Sequence, residues 1–355
     1  MTHRLRLASW NVCWFANLFD DDDRLVDDHD RSAMHNVTRQ RQGEAIAAVL
    51  RAVDADIILI VEAPDTGKTQ SSTRALEGFA ASAGLRQRRA LTGFVSETEQ
   101  EIALLYDPDV VNARHAPVGT LFDPADAAEG LRDAEAPRFD SVYPLDVDGD
   151  GDIDLHRFSK PPLEAIVQWQ AARQEFRLIG VHAKSKAPHG ARDAEDAVRI
   201  SLMNRRKQLA QCAWLRDRVD GHLDRQEHLA VLGDFNDGPG LDKYERVFGR
   251  SGVEVVMGDP GDPERLLRNP YTRRRMTPYG PRPSTARFFK RDKQSYLNAL
   301  IDFVMLSPAF ADQMTPKWRI WHPFDDAACF EDDLLKTALL DASDHFPVSV
   351  DLTSS

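Results

Sequence analysis

Short apolar, β-branched runs recur along the chain at Leu5 to Trp10, Ile57 to Val61, Ile102 to Tyr106, Ile166 to Trp169, Phe176 to His182, Leu229 to Leu232, Ile301 to Leu306 and Val348 to Leu352. Runs of this kind, bounded by turn-forming residues, predict strands. Between them the spacing changes. Thr38 to Val53 places Ile46, Val49, Leu50 and Val53 at helical intervals, and Asp193 to Val219 does the same with Leu202, Leu209 and Trp214. Both predict helices. The mixture follows no strict βαβ rhythm, which fits sheets packed face to face with helices outside better than one doubly wound sheet.

Length and composition are compatible with that picture. At 355 residues the chain is long enough for two average domains, but a two-sheet architecture can use this length as one core, and one domain is expected. With 42% hydrophobic and 29% charged residues it has the apolar material for a large core and not the composition of a disordered chain. The N-terminal MTHRLRLASW lacks the apolar run of a secretory signal, and no stretch approaches the ~18 apolar residues of a membrane span. A cytoplasmic protein without membrane insertion is the expectation, and no obligate protein partner is implied. Cys13, Cys212 and Cys329 are far apart and outside metal-ligand spacing, so buried thiols are expected rather than a disulfide framework or a zinc site.

Charge is distributed unevenly. The net charge of −12 argues against coating nucleic acid by charge alone. Asp20 to Asp30 is an acidic block that should repel itself and stay solvated as a surface loop. Asp146, Asp148, Asp150 and Asp152 alternate around Gly149 and Gly151, as oxygen ligands do at the opening of a calcium loop, although Arg157 stands where a bidentate Glu would close it. A structural Ca²⁺ site and an acidic hairpin tip are both open readings. Arg265 to Lys293 is the reverse case, rich in Lys and Arg with Asp292 its one acid, and with Tyr271, Tyr279, Phe288 and Phe289 interleaved. Basic groups hold phosphates while aromatic faces stack on bases, so Arg273, Arg274 and Arg275 become candidate nucleic-acid contacts, with a solvated loop as the alternative.

Several polar residues sit where apolar strands end. Asn11 follows one strand, and a turn would explain it equally well. Glu62 ends the otherwise apolar IILIVEA, an expensive place for a carboxylate unless it pairs or binds a cation. His182 ends RLIGVHAKSK and is followed by Lys184, Ser185 and Lys186, a phosphate-friendly mouth, though a satisfied core histidine is the plainer reading. Asp234, Asn236 and Asp237 lie just past LAVLG, where an Asx turn would also account for them. Asp302 lies inside LIDFVML and needs a partner, which His345 in ASDHFPV can supply. A carboxylate fixing an imidazole tautomer is a recurrent catalytic device.

Taken in order, WN at 10 and 11, Glu62, H-x-K-S at 182 to 185, GDFN at 233 to 236, IDF at 301 to 303 and SDH at 343 to 345 resemble the motif series of the endonuclease/exonuclease/phosphatase superfamily. The resemblance spans nearly the whole chain. It implies a four-layer α/β sandwich with two packed mixed sheets flanked by helices, a single domain over 1–355, and insertions near 17–36, 119–160 and 259–296. It also implies a site where strand ends of both sheets meet. There Glu62, Asn11 and Asp344 would hold Mg²⁺ or Mn²⁺, Asp234 would orient or deprotonate the attacking water, and Asn236 would steady it. His345, paired with Asp302, would stabilise the pentacovalent state, and His182 would bond a phosphoryl oxygen. Two positions depart from the pattern: many members carry Asn where this chain has Gly180, and often Arg where it has Lys160, which turns a bidentate phosphate clamp into a point charge. The basic-aromatic segment and the HAKSK strand end favour a nuclease acting on DNA. A phosphodiesterase or phosphatase for a small metabolite or lipid headgroup is the alternative, and a non-catalytic scaffold is a third reading.

Overall fold

The computed structural model describes residues 2–123, 136–240, 249–272, 283–290 and 293–354. In chain order the strands are β1 (His3–Asn11), β2 (Ile57–Ala63), β3 (Arg89–Thr92), β4 (Glu101–Tyr106), β5 (Val111–His115), β6 (Tyr143–Leu145), β7 (Asp154–His156), β8 (Leu163–Trp169), β9 (Gln174–His182), β10 (Leu229–Asp234), β11 (Ala286–Lys290), β12 (Ser295–Ala299), β13 (Asp302–Leu306), β14 (Lys317–Ile320) and β15 (Val348–Ser354). The helices are α1 (Arg39–Val53), α2 (Ser72–Ser82), α3 (Ala194–Asp224), α4 (Gly252–Met257), α5 (Pro308–Gln313), α6 (Ala327–Glu331) and α7 (Asp333–Ala342).

Leu5 and Leu7 of β1 point to one side, Ala8 and Trp10 to the other, and all four are buried. A strand apolar on both faces must be covered on both. One side packs on a second sheet: β14-β15-β1-β2-β4-β3 faces β13-β10-β9-β8-β5. Leu59 and Leu104 meet Leu178, Leu232 and Val304 in the layer between them. The other face of the six-stranded sheet is covered by Ile46 and Leu50 of α1, Phe79 of α2 and Leu339 of α7. The outer face of the five-stranded sheet is covered by Trp214 and Val219 of α3 and Val253 of α4. These are the four layers that the motif resemblance implied. Both sheets are mixed, with β1-β2 and β9-β10 parallel in otherwise antiparallel ladders.

The two long helices begin where polar caps allow. Thr38 accepts from Arg41 N and Asp193 from Asp196 N, each side chain satisfying an amide that has no partner in the first turn. Strands β3, β5 and β14, which hydrophobic patterning did not predict, are short sheet edges carrying polar residues, so neither periodicity nor an apolar run marks them. Two charged segments carry more structure than composition shows. The Asp20 to Asp30 block is the exposed loop expected, and it is also stapled: Arg39 bonds Asp28 and Asp30, and the buried Asp23 carboxylate accepts Ser71 N at 2.9 Å and pairs with Arg74. Part of the basic Arg265 to Lys293 segment is not loop but the first strand of the β11-β12 hairpin. Of the thiols, Cys212 and Cys329 are buried as expected, whereas Cys13 is only half-buried.

Candidate active site

The inward stripe that builds the inter-sheet core turns polar at one end of the strands. Along β1 it runs Leu5, Leu7, Ser9, Asn11; along β9 Leu178, Gly180, His182; along β10 Ala230, Leu232, Asp234; along β13 Leu306, Val304, Asp302. Side chains alternate with period two, so these polar ends enter the same space as the leucines before them. Register aligns them further, with Asp234 opposite both His182 and Asp302.

Glu62 would face the outer helices if β2 continued regularly, because Ile58 and Ile60 do. A bulge between Val61 and Ala63 changes that. Glu62 takes a left-handed backbone with φ 60°, Ala63 joins the outer cluster, and the carboxylate swings to the site. A non-glycine residue held at such a φ is a cost the surrounding fold must support. Asn236, at φ 49°, is a second case.

Asn11, Glu62, His182, Asp234, Asn236, Asp344 and His345 line one pocket of about 810 Å³, with Lys160, Lys184, Ser185, Lys186 and Lys290 also on its walls. Asp302 stands behind it, its Oδ2 2.9 Å from His345 Nδ1. Asn11 Nδ2 donates to Asp234 Oδ2 at 3.0 Å and to Glu62 Oε1 at 3.4 Å, and Trp14 N donates to Glu62 Oε2 at 2.8 Å. Asn236 closes on the same carboxylate through its backbone, N to Asp234 Oδ1 at 2.7 Å. Lys160 Nζ lies 3.2 Å from His182 Nε2. The ammonium can only donate, so that ring nitrogen accepts.

These groups are buried enough to shift one another. Burial and the Lys160 charge push the His182 imidazole well below the usual histidine range, so it is neutral. Burial acts the same way on His345, but the Asp302 carboxylate, helped by Asp234, outweighs it and holds this imidazole well above that range, as the donor-bearing cation. Burial and the Asp302 charge raise the Asp234 carboxyl, and burial lowers the Lys160 ammonium against the pull of Glu62 and Asp234.

Asn11 Oδ1 is buried and has no hydrogen-bond partner among the described residues. An unpaired carbonyl oxygen beside the Glu62 carboxylate is an oxygen-only donor set that fits a hard divalent cation. Asp344 lines the same pocket, and its charge acts with burial and with that of Glu62 to raise the Cys13 thiol pKa. Donor atoms of Asp234, Asp302 and His345 also lie within 4.8 Å of one another, but a protonated His345 bonded to Asp302 donates and does not ligate.

Several supporting residues escaped the sequence reading. Thr285 Oγ1 accepts from Ile301 N and Asp302 N, both at 3.0 Å, and the backbone around it pairs with Asp344 to Phe346, so the hairpin root joins IDF to SDH. Ser343 Oγ donates to Asn11 O at 2.8 Å and accepts from His345 N at 3.1 Å, although it stands inside a quoted motif. From α3, Gln208 Nε2 reaches Lys184 O, Phe235 O and Asn236 O, Gln211 Oε1 accepts Lys184 N, and Arg205 bonds Asp237 at 3.0 Å. Their helical spacing was visible; what they brace was not. Gly180 sits where an added Cβ would come 2.4 Å from Leu59 Cδ1, so an Asn side chain has no room at that departure from the family pattern.

Other expectations fall elsewhere. Arg273, Arg274 and Arg275 lie outside the described residues. Asp146, Asp148, Asp150 and Asp152 occupy the tip of the β6-β7 hairpin and do not line the pocket. Three of them, Asp146, Asp148 and Asp150, have oxygens within 4.8 Å of one another, but Asp146 already accepts Gly149 N and Gly151 N, and Asp148 pairs with Arg206. A second row, Ser284, His322 and Asp325, has the order of a nucleophilic triad. There His322 Nδ1 accepts Phe324 N and Asp325 N, so Nε2 carries the proton and cannot activate Ser284.

Comparisons with known proteins agree with the layers. Caenorhabditis elegans TDP2 is 13% identical, with 99% of this chain and 74% of that one covered, at a TM-score of 0.50. ANGEL2, a 2′,3′-cyclic phosphatase, is 12% identical, with 99% and 96% covered, at 0.50. These likenesses concern the fold. No curated protein sequence matches the chain, and no described helix is long and apolar enough to cross a membrane. The model of the Endonuclease/Exonuclease/phosphatase family matches residues 8–345, from the first motif strand to the SDH histidine, and the chain belongs to that family.

Proposed function

We propose that this chain is a divalent-cation-dependent phosphodiester hydrolase acting on nucleic acid, DNA foremost, with residues 1–355 as one catalytic domain. The observation that carries the reading is the convergence of Asn11, Glu62, His182, Asp234, Asn236, Asp344 and His345 on one pocket whose rim holds Lys160 and Lys184. Buried charges at strand ends weaken a fold unless each is paired, and here the unpaired oxygen of Asn11 points to a ligand rather than to packing.

Glu62, Asn11 and Asp344 would hold Mg²⁺ or Mn²⁺. A cation there supplies positive charge to the phosphoryl oxygens and the departing oxygen. Lys160 keeps donors free beyond the one it gives His182, and with Lys184 and Ser185 it binds the phosphate. Asp234, raised toward neutrality by burial and Asp302, accepts the proton of the attacking water, which Asn236 steadies. His345, kept protonated by Asp302, donates to the phosphoryl oxygens as charge builds on them. His182 completes the phosphate side.

The test is hydrolysis of single- and double-stranded DNA, RNA and bis(p-nitrophenyl) phosphate with Mg²⁺, Mn²⁺ or EDTA, comparing wild type with Glu62→Ala, Asp234→Asn and His345→Ala. The expected outcome is nucleic-acid cleavage lost in EDTA and at least about 100-fold slower in each variant. Full activity in EDTA, or in Asp234→Asn with metal present, overturns the roles. The net charge of −12 favours a second reading, a small phosphoester as substrate. Cleavage of the small diester alone would establish it.

A further inference from the structure

The cleft continues past the pocket. Cys13, Phe289 and Asp344 line both it and a second cavity of about 320 Å³, which opens between the hairpin, the 31–37 loop and the end of α7. That volume is at the small end of ligand pockets, about 300–1,000 Å³. His35 stacks on Phe289 at 4.4 Å, so two segments expected as insertions meet to form its wall.

Arg287 supplies the charge of this cavity. Its backbone N–H donates to Asp344 O at 2.7 Å, which places it beside the candidate cation site. Its guanidinium lies 3.4 Å from the centroid of Tyr296 and 5.3 Å from that of Phe324. Both rings are among the large apolar side chains left exposed, and holding the guanidinium in place accounts for that position. The side chain has no ion pair or hydrogen bond among the described residues. Of the two acids of the cavity, Asp341 is already paired with Arg41 at 2.6 Å. A guanidinium fixed by aromatic stacking, with its donor edges unused, is a fork prepared for a phosphate.

We propose that Arg287 binds the phosphate next to the one being cut, so that the enzyme prefers a strand bearing at least one further phosphate on the hairpin side. The inference rests on the nucleic-acid reading above and deepens it. Arg287 thereby determines specificity, while the reacting phosphate stays with Lys160 and His345.

The experiment compares kcat/KM for a thymidine dinucleotide, which has one phosphodiester, with 5′- and 3′-phosphorylated dinucleotides and a trinucleotide, using wild type, Arg287→Gln and Arg287→Lys. The wild-type preference for one of the longer substrates should be about tenfold to a hundredfold, the range expected for a charge-assisted bond to phosphate. It should collapse toward unity in Arg287→Gln, where the slope of log kcat/KM against log salt on the longer substrate should also shrink by about 0.7, and survive in part, with the slope kept, in Arg287→Lys. An unchanged preference in Arg287→Gln overturns the proposal while leaving the nuclease reading intact. If wild type cuts no nucleotide but does cut bis(p-nitrophenyl) phosphate, the nuclease reading fails and the subsite fails with it. Circular dichroism confirms that the variants fold, and Arg287→Lys keeps the comparison decisive if Arg287→Gln does not.

Discussion

Replacing Gln208 by Leu tests whether α3 holds the loops that carry Lys184 and Asn236 in register. Gln208 is fully buried, and its amide reaches Lys184 O at 2.8 Å, Phe235 O at 3.1 Å and Asn236 O at 3.1 Å, while Oε1 accepts from buried Arg205. Two N–H donors serve three carbonyls, so about two bonds are at stake on that side. Leu is close in size, so packing changes little. Each buried polar group left unmet costs about 1–3 kcal/mol, and Arg205 keeps Asp237, so the loss should come to about 3–5 kcal/mol in urea unfolding. Activity should fall too, because Gln208 supports the left-handed Asn236 and the strand end that carries Lys184. A displacement of about 1 Å costs on the order of 100-fold. The expected signature is a fall in kcat larger than any rise in KM on bis(p-nitrophenyl) phosphate. A stability loss below about 1 kcal/mol with unchanged kcat would refute the bracing argument.

Two further outcomes follow from buried groups. Burial raises the Glu101 carboxyl to about 7, against bonds from Ser96 N and with help from Asp65. The folded chain therefore holds this proton more tightly than the unfolded one, and stability falls as pH rises from about 4.5 to about 7, by at most about 3 kcal/mol. Glu101→Gln should remove that fall, so the mutant gains on wild type between pH 4.5 and pH 8 in urea titrations; a difference independent of pH would contradict it. Gly233 has φ 139°, and an added Cβ would stand 2.0 Å from Val181 O, so Gly233→Ala should cost more than about 3 kcal/mol or abolish soluble folding, and a loss under about 1 kcal/mol would show that β9 and β10 can separate there.

The strands that build the inter-sheet core were legible because both of their faces are apolar. The long helices were legible because spacing and caps agree, at Thr38 and Asp193. The motif order was legible as well, since the chemistry needs carboxylates, amides and imidazoles at strand ends, and local sequence shows where a strand ends. Edge strands such as β5 escaped because an edge may be polar and short. The β11-β12 hairpin escaped because its strands are mostly half-buried or exposed and mix polar with aromatic residues, so no apolar run marks them.

What the sequence determined by itself is which apolar strands end in polar groups and that the core strands are apolar on both faces, because side-chain chemistry and apolar runs are local properties. Tertiary structure decided how those groups meet. The bulge that turns Glu62 inward, the protonation that Asp302 imposes on His345, the amides of α3 that hold two loops, and the aromatic stack that readies Arg287 each depend on residues distant in the chain. Their energies arise from burial and close approach, which exist only once the sheets have packed.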